Sequence, residues 1–124
     1  MISGIVTDRQ ATVELIFLLP NGSRIPIEFV IDTGFTGEIC LPVEAVSLMG
    51  LTFRHDTPAN LADNSEVLLA LHEATIIWDG SERELLVIAT GRRPLVGTAL
   101  LDEQELVIQF TEGGLVMIDE LNVV

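Results

Sequence analysis

The residues of this 124-residue chain best suited to chemistry are Asp32, Thr33 and Gly34, which follow the apolar run Phe29-Val30-Ile31. That run reads as a strand. Its end presents one carboxylate and one hydroxyl immediately before a glycine that lets another backbone come close. A carboxylate placed there can exchange a proton with a reacting group, or it can simply cap the strand end as a turn residue. Other chemistries find no support in the chain. His55 and His72 have no neighbouring cysteine and no His-x-x-x-His spacing, so no metal-ligand set assembles from local sequence. There is no Gly-x-Ser-x-Gly elbow, and Cys40, the single cysteine, has no identifiable base and reads as a buried, inert thiol. Neither Gly-x-Gly-x-x-Gly nor Gly-Lys-Ser/Thr occurs, which removes a phosphate loop, and Trp78 within Ile76-Ile77-Trp78 reads as core. No metal and no cofactor is expected.

The elements that must position Asp32 are legible from turn residues. The length suits one domain spanning 1–124. Hydrophobic residues make up 48%, Tyr is absent, and Phe and Trp number five and one, so the core is aliphatic and strand-forming. Asn21-Gly22 separates 12–19 from 24–31, and Asp79-Gly80 separates 74–78 from 82–89, each as a two-residue hairpin turn. Residues 38–41 read as a short strand, and 42–49 as a short helix opened by Pro42 and closed by Gly50. Residues 53–70 are less regular, with Ala62-Asp63-Asn64-Ser65 as a turn projecting between two extended arms.

A weak repeat relates the halves, since the layout of 11–30 recurs over 74–88, and each hairpin leads into a glycine motif. The first motif is Asp32-Thr33-Gly34. The second is Leu95-Val96-Gly97, followed by the apolar stretch 98–101, which reads as a helix start. A last hairpin joins 105–110 to 115–118 around Glu112-Gly113-Gly114, and the apolar end Val123-Val124 is expected to be tied into a sheet. The fold class is therefore all-β with one or two short helices.

Six arginines and no lysine stand against 19 acidic residues, for a formal charge of −13. Such a chain repels phosphate backbones and anionic membrane surfaces, so neither nucleic acid nor membrane is an expected partner. The acidity reads mainly as solubility, and it would oppose pairing of two copies unless an apolar interface overcame it. Residues 1–10 lack a basic segment followed by an apolar core, and the apolar run at 15–19 is too short to cross a bilayer. A soluble, cytoplasmic protein is expected, and a lone cysteine fits a reducing compartment.

The ordered set of apolar strand, Asp32-Thr33-Gly34, short strand, helix, projecting hairpin and Leu95-Val96-Gly97 resembles the retropepsin-like, single-domain aspartic peptidases over roughly residues 11–110. Leu61-Ala62-Asp63 and the stretch from Glu73 to Gly80 look like bacterial members of that peptidase clan. The resemblance implies a closed, mostly antiparallel β-barrel, two copies of which meet across a two-fold axis as a homodimer with their Asp32 side chains together. Thr33 would hydrogen-bond across the axis and the Gly34 amide would reach the carboxylates. Leu61, Ala62, Asp63 and Asn64 would form a flap tip over a peptide or protein substrate, with Leu95 and Val96 in the binding cleft. The implied reaction is peptide-bond hydrolysis by a water activated between two carboxylates sharing one proton, favoured at acidic to mildly acidic pH.

The chain departs from that pattern in places. Phe35-Thr36-Gly37 stands where retroviral members carry acidic residues, and Thr98 stands where they carry the arginine that pairs with them. The flap lacks both a glycine-rich tip and the tyrosine of pepsin-like enzymes. Arg92-Arg93-Pro94 concentrates two of the six cations before the second motif, as a solvated turn or as a basic rim favouring acidic groups on a substrate. Two other readings remain open at this stage: a weakly active or inactive module for dimerisation or peptide binding, and an unrelated β-barrel in which Asp32 only makes a turn.

Overall fold

A computed structural model of the chain describes residues 1–121. Its strands are β1 (Ile2–Thr7), β2 (Gln10–Leu18), β3 (Arg24–Ile31), β4 (Ile39–Leu41), β5 (Thr52–Asn60), β6 (Glu66–Trp78), β7 (Ser81–Ala89), β8 (Leu95–Val96), β9 (Gln104–Ile108) and β10 (Leu115–Glu120). One helix, α1 (Val43–Met49), follows β4. The strands form one sheet in the order β5-β6-β7-β4-β8-β3-β2-β1-β10-β9. An additional antiparallel pairing of β2 with β6, from Ile16↔Ile77 to Leu18↔Thr75, joins strands far apart in that order and folds the sheet over on itself.

Period-two alternation decides which face of each strand is buried. In β2, Val13, Leu15 and Phe17 point inward while Glu14 and Ile16 are exposed. In β7 the inward set is Leu85, Val87 and Ala89, and β10 supplies Val116 and Ile118. Phe29 of β3 stacks on Phe17 with ring centroids 5.7 Å apart, anchoring the strand that carries Asp32. Trp78 is buried as expected, with the Arg83 guanidinium 5.5 Å from its ring centroid.

The helix runs as the sequence indicates, from Pro42 at its N-cap to Gly50 in the left-handed conformation at φ 66°, with Val46 and Met49 buried. Asp79-Gly80 closes a two-residue turn between the paired residues Trp78 and Ser81, both turn residues having positive φ. Four expectations are corrected. The Asn21-Gly22 connection has three loop residues rather than two, because Leu19 N donates to Ser23 O and Gly22 closes the turn in the left-handed region. Residues 52–60 and 66–78 are regular strands, interrupted only by a bulge between Phe53 and His55. Residues 98–101 form turns, with Leu100 N bonded to Gly97 O, and no second helix exists among the described residues.

The fourth correction is β1, which the sequence reading left unassigned and which pairs with both β2 and β10. It joins β2 through Asp8 and Arg9, both at positive φ, a backbone usually built from Asn-Gly or Gly-Gly. The expected anchoring of Val123-Val124 lies outside the described residues. No helix among the described residues is long and apolar enough to cross a membrane.

Candidate functional site

Asp32 is set in place by the pairing of β3 with β8, which run parallel through Val30↔Leu95 and Ile31↔Val96. Both glycine motifs therefore leave the sheet side by side and in the same direction. Val30 N donates to Pro94 O at 3.0 Å and Asp32 N to Val96 O at 2.9 Å, so the backbone of the aspartate is fastened to the second motif. Phe35 N returns to Asp32 O at 3.1 Å, closing a tight turn. Within that turn Gly34 N donates to Asp32 Oδ1 at 2.9 Å, which fixes the carboxylate and leaves Oδ2 without a protein donor among the described residues. Asp32 is partly buried and Thr33 is exposed.

Beneath the turn, the chain at 35–38 is clamped against the residues after β8. Gly97 N donates to Glu38 O at 2.9 Å, Thr98 N to Phe35 O at 2.8 Å and Ala99 N to Gly37 O at 3.2 Å. This approach is closed to any side chain at Gly97. A Cβ there would fall on the Gly37 carbonyl oxygen and lie 2.6 Å from Phe35 Cδ2 and 2.7 Å from the Phe35 carbonyl oxygen. Gly37 is needed for a similar reason, since its Cβ would sit 2.6 Å from Phe35 Cζ. The Phe35 ring thus occupies space that two glycines vacate. Thr98 Oγ1 reaches Phe35 O at 3.4 Å, so it braces the loop rather than meeting any charge there.

Asp32 and Thr33 line a groove of about 560 Å³ together with Ile31, Leu95 and Ile108 and with Arg9, Gln10, Arg92 and Arg93, of which Arg92 and Arg93 are exposed. Val96 is fully buried, so what it contributes is the carbonyl that holds Asp32. Cys40 lies in the wall behind, its thiol donating to Thr90 O at 3.0 Å. Burial pushes the Cys40 thiol pKa up, and the Asp32 charge adds to this.

Leu61, Ala62, Asp63 and Asn64 form the exposed tip between β5 and β6 and do not line the groove of their own chain. The tip is closed by Leu61 N to Ser65 O at 2.8 Å and Asn64 N to Leu61 O at 3.0 Å, with Asn64 taking the left-handed position at φ 66°. Asparagine replaces the usual glycine there. Asp63 Oδ1 accepts from Ser65 Oγ at 2.6 Å and from Ser65 N at 2.9 Å, and these bonds hold the Asp63 carboxyl below the usual carboxylate range. Asp32, Thr33 and Leu95 line one groove, and Arg9 and Gln10, which the sequence did not single out, line it with them. The alternation Ile2, Gly4, Val6 was the signal available for the strand that carries Arg9 there. Among the described residues no group of His, Cys, Asp and Glu is arranged to hold a metal ion.

No protein-family model matches the sequence, and no curated protein matches it. Among solved structures, a retropepsin-like aspartic protease from Rickettsia conorii is similar, with a TM-score of 0.58 and 17% sequence identity over 96% of this chain and 90% of that one. At that identity the likeness speaks for architecture alone: this chain has the fold of a retropepsin-like protein.

Proposed function

We propose that the chain is an aspartic endopeptidase, a hydrolase that works only as a homodimer. Two folded sheets, each a closed barrel in this reading, pair across a two-fold axis so that the Asp32 carboxylates share one proton. The ionised member takes a proton from water, whose oxygen attacks the scissile carbonyl, while the protonated member donates to the carbonyl oxygen. The resulting tetrahedral species collapses as a proton passes to the leaving nitrogen, giving a carboxylic acid and an amine and restoring the shared proton. Thr33, exposed beside the carboxylate, is the cross-axis hydrogen-bonding group, and the tip Leu61–Asn64 covers the cleft over an extended substrate.

The observation that carries this reading is the mounting of Asp32. Its amide is tied to Val96, one carboxylate oxygen is tied to Gly34, and the other is left free beside a groove, on a fold shared with an aspartic protease. The test is peptide-library digestion across pH by the wild type and by Asp32→Asn, with dimerisation followed by sedimentation. Loss of the acid–base pair is expected to lower the rate by at least about 10²–10⁴-fold. A folded Asp32→Asn dimer that cleaves at the wild-type rate removes Asp32 from the mechanism. Affinity for peptides without Asp32-dependent cleavage favours a binding module instead, a reading to which the glycine-free tip gives some weight.

A further inference from the structure

We infer that the groove beside Asp32 selects an acidic side chain of the substrate close to the scissile bond. This rests on the peptidase reading and names its substrate class. Arg9, Arg92 and Arg93, half of the six arginines in a chain of charge −13, line the same groove as Asp32 and Thr33. They arrive from two distant segments, the β1–β2 turn and the loop before β8, so their convergence is a product of the fold rather than of one basic stretch of sequence.

Their charge is not spent internally. Arg54 lies 3.3 Å from Glu73 and Arg83 3.7 Å from Glu38, whereas Arg9, Arg92 and Arg93 have no carboxylate within 4.0 Å among the described residues. The nearby Glu112 carboxylate is engaged by the Asp8 amide at 2.9 Å, in the adjoining groove that Arg9 also borders. Arg93 is held in position by a neutral partner, its Nη1 donating to Gln10 Oε1 at 2.7 Å. That bond uses one of five guanidinium N–H groups and compensates none of the charge. In the same groove, Ile31, Leu95 and Ile108 offer apolar surface for the methylenes of a glutamate, while the guanidinium forks match its carboxylate. The net charge of −13 repels such a peptide from the surface as a whole, and three of the six arginines gathered in one groove favour its encounter there.

The test compares cleavage of peptides that differ by Glu against Gln near the cut bond, after a library digest has located the preferred site by mass spectrometry. Enrichment of Asp or Glu at a flanking position, and a Glu-to-Gln ratio in kcat/KM of about ten, is expected from two or three exposed charge pairs. The ratio should shrink with added salt in the wild type and approach one in the triple variant R9Q/R92Q/R93Q. Asp32-dependent cleavage with no acidic preference overturns this inference and leaves the peptidase reading standing. A triple variant that becomes monomeric also overturns it, because the arginines then serve the partner copy. If nothing is cleaved, the peptidase reading fails, and binding to the Asp32→Asn protein decides the groove. A short fluorescein-labelled peptide with two central Glu residues must then bind about tenfold more tightly than its Gln counterpart. Equal binding of the two probes rejects the acidic preference.

Discussion

Replacing Gly97 by alanine tests whether the two glycine motifs are as tightly interlocked as their hydrogen bonds indicate. The added methyl collides with the Gly37 carbonyl oxygen and crowds the Phe35 ring and carbonyl. Neither oxygen can retreat freely, because Phe35 O accepts from Thr98 N and Gly37 O accepts from Ala99 N. Overpacking costs about 1–3 kcal/mol, and each disturbed amide bond about 0.5–1.5 kcal/mol. With two such bonds affected the loss is roughly 2–6 kcal/mol, a large share of the about 5–15 kcal/mol that holds a domain together. At about 3–5 °C per kcal/mol for a chain of this size, the melting temperature falls by roughly 6–30 °C. Gly22→Ala is the control, since Gly22 has φ +87° but no atom within 4 Å of its Cβ position, and only the left-handed backbone cost of about 1–2 kcal/mol applies. Thermal and urea unfolding followed by circular dichroism measure both. A Gly97→Ala protein that melts no lower than Gly22→Ala refutes the steric argument and loosens the claim that Val96 fixes Asp32.

Thr33→Val removes the hydroxyl proposed to bond across the axis, and the dimer dissociation constant measured by sedimentation should rise about tenfold, the worth of one or two hydrogen bonds. An unchanged constant takes Thr33 out of the interface. Cys40, with its pKa raised by burial and by Asp32, should react slowly with a thiol reagent at neutral pH, and Asp32→Asn should lower its titration midpoint slightly. A midpoint that rises or stays fixed contradicts the proximity of the two groups. Asp63 has a depressed folded-state pKa, so its contribution to tip order is present above the ordinary carboxylate range of about 4 and is lost as pH falls through the lower folded value. NMR titration of the Asp63 carboxyl should show that midpoint returning upward in Ser65→Ala, and no movement would mean that Ser65 is not its partner.

Where local residues dictate a backbone shape, the sequence guided well except at Asn21-Gly22, whose turn is one residue longer than that pair indicates. Asp79-Gly80 demanded positive φ twice, Pro42 and Gly50 bracketed a helix, and Asp32-Thr33-Gly34 stood at the end of an apolar strand. Tertiary packing decided the rest. Asp8-Arg9 makes the same kind of tight turn as an Asn-Gly pair at a cost of about 1–2 kcal/mol per left-handed residue, which neighbouring strands on both sides of β1 offset. No local preference announces such a turn, so the arrival of Arg9 at the groove was hidden even though the alternation of β1 could be read. Residues 98–101 look helical by composition, yet only three-residue turn bonds form there, Leu100 N to Gly97 O and Gln104 N to Leu101 O, and β9 begins at Gln104 before a helix can propagate. Ser65 and Asn64 regularise a polar segment that composition alone makes look loose.

The hydrogen bonds divide the candidate site into a stiff part and a compliant part, and the division fits strand-like substrate capture better than it fits a passive turn. Beyond the local turn that Phe35 N and Gly34 N close on Asp32, the backbone ties around it run to residues distant in sequence: Val30 to Pro94, Asp32 to Val96, Gly97 to Glu38 and Thr98 to Phe35. Such ties hold the backbone of Asp32 in one place, as the proposed acid–base role would require. At the Leu61–Asn64 tip every bond is to a neighbour a few residues away, and the side chains are exposed, so the tip can tilt as a unit without breaking its own turn. A carboxylate that merely capped a strand would need neither the cross-linked floor nor a long hairpin ending in a self-contained tip. A cleft that admits an extended peptide, closes over it and then holds the scissile bond against a fixed acid–base pair needs both.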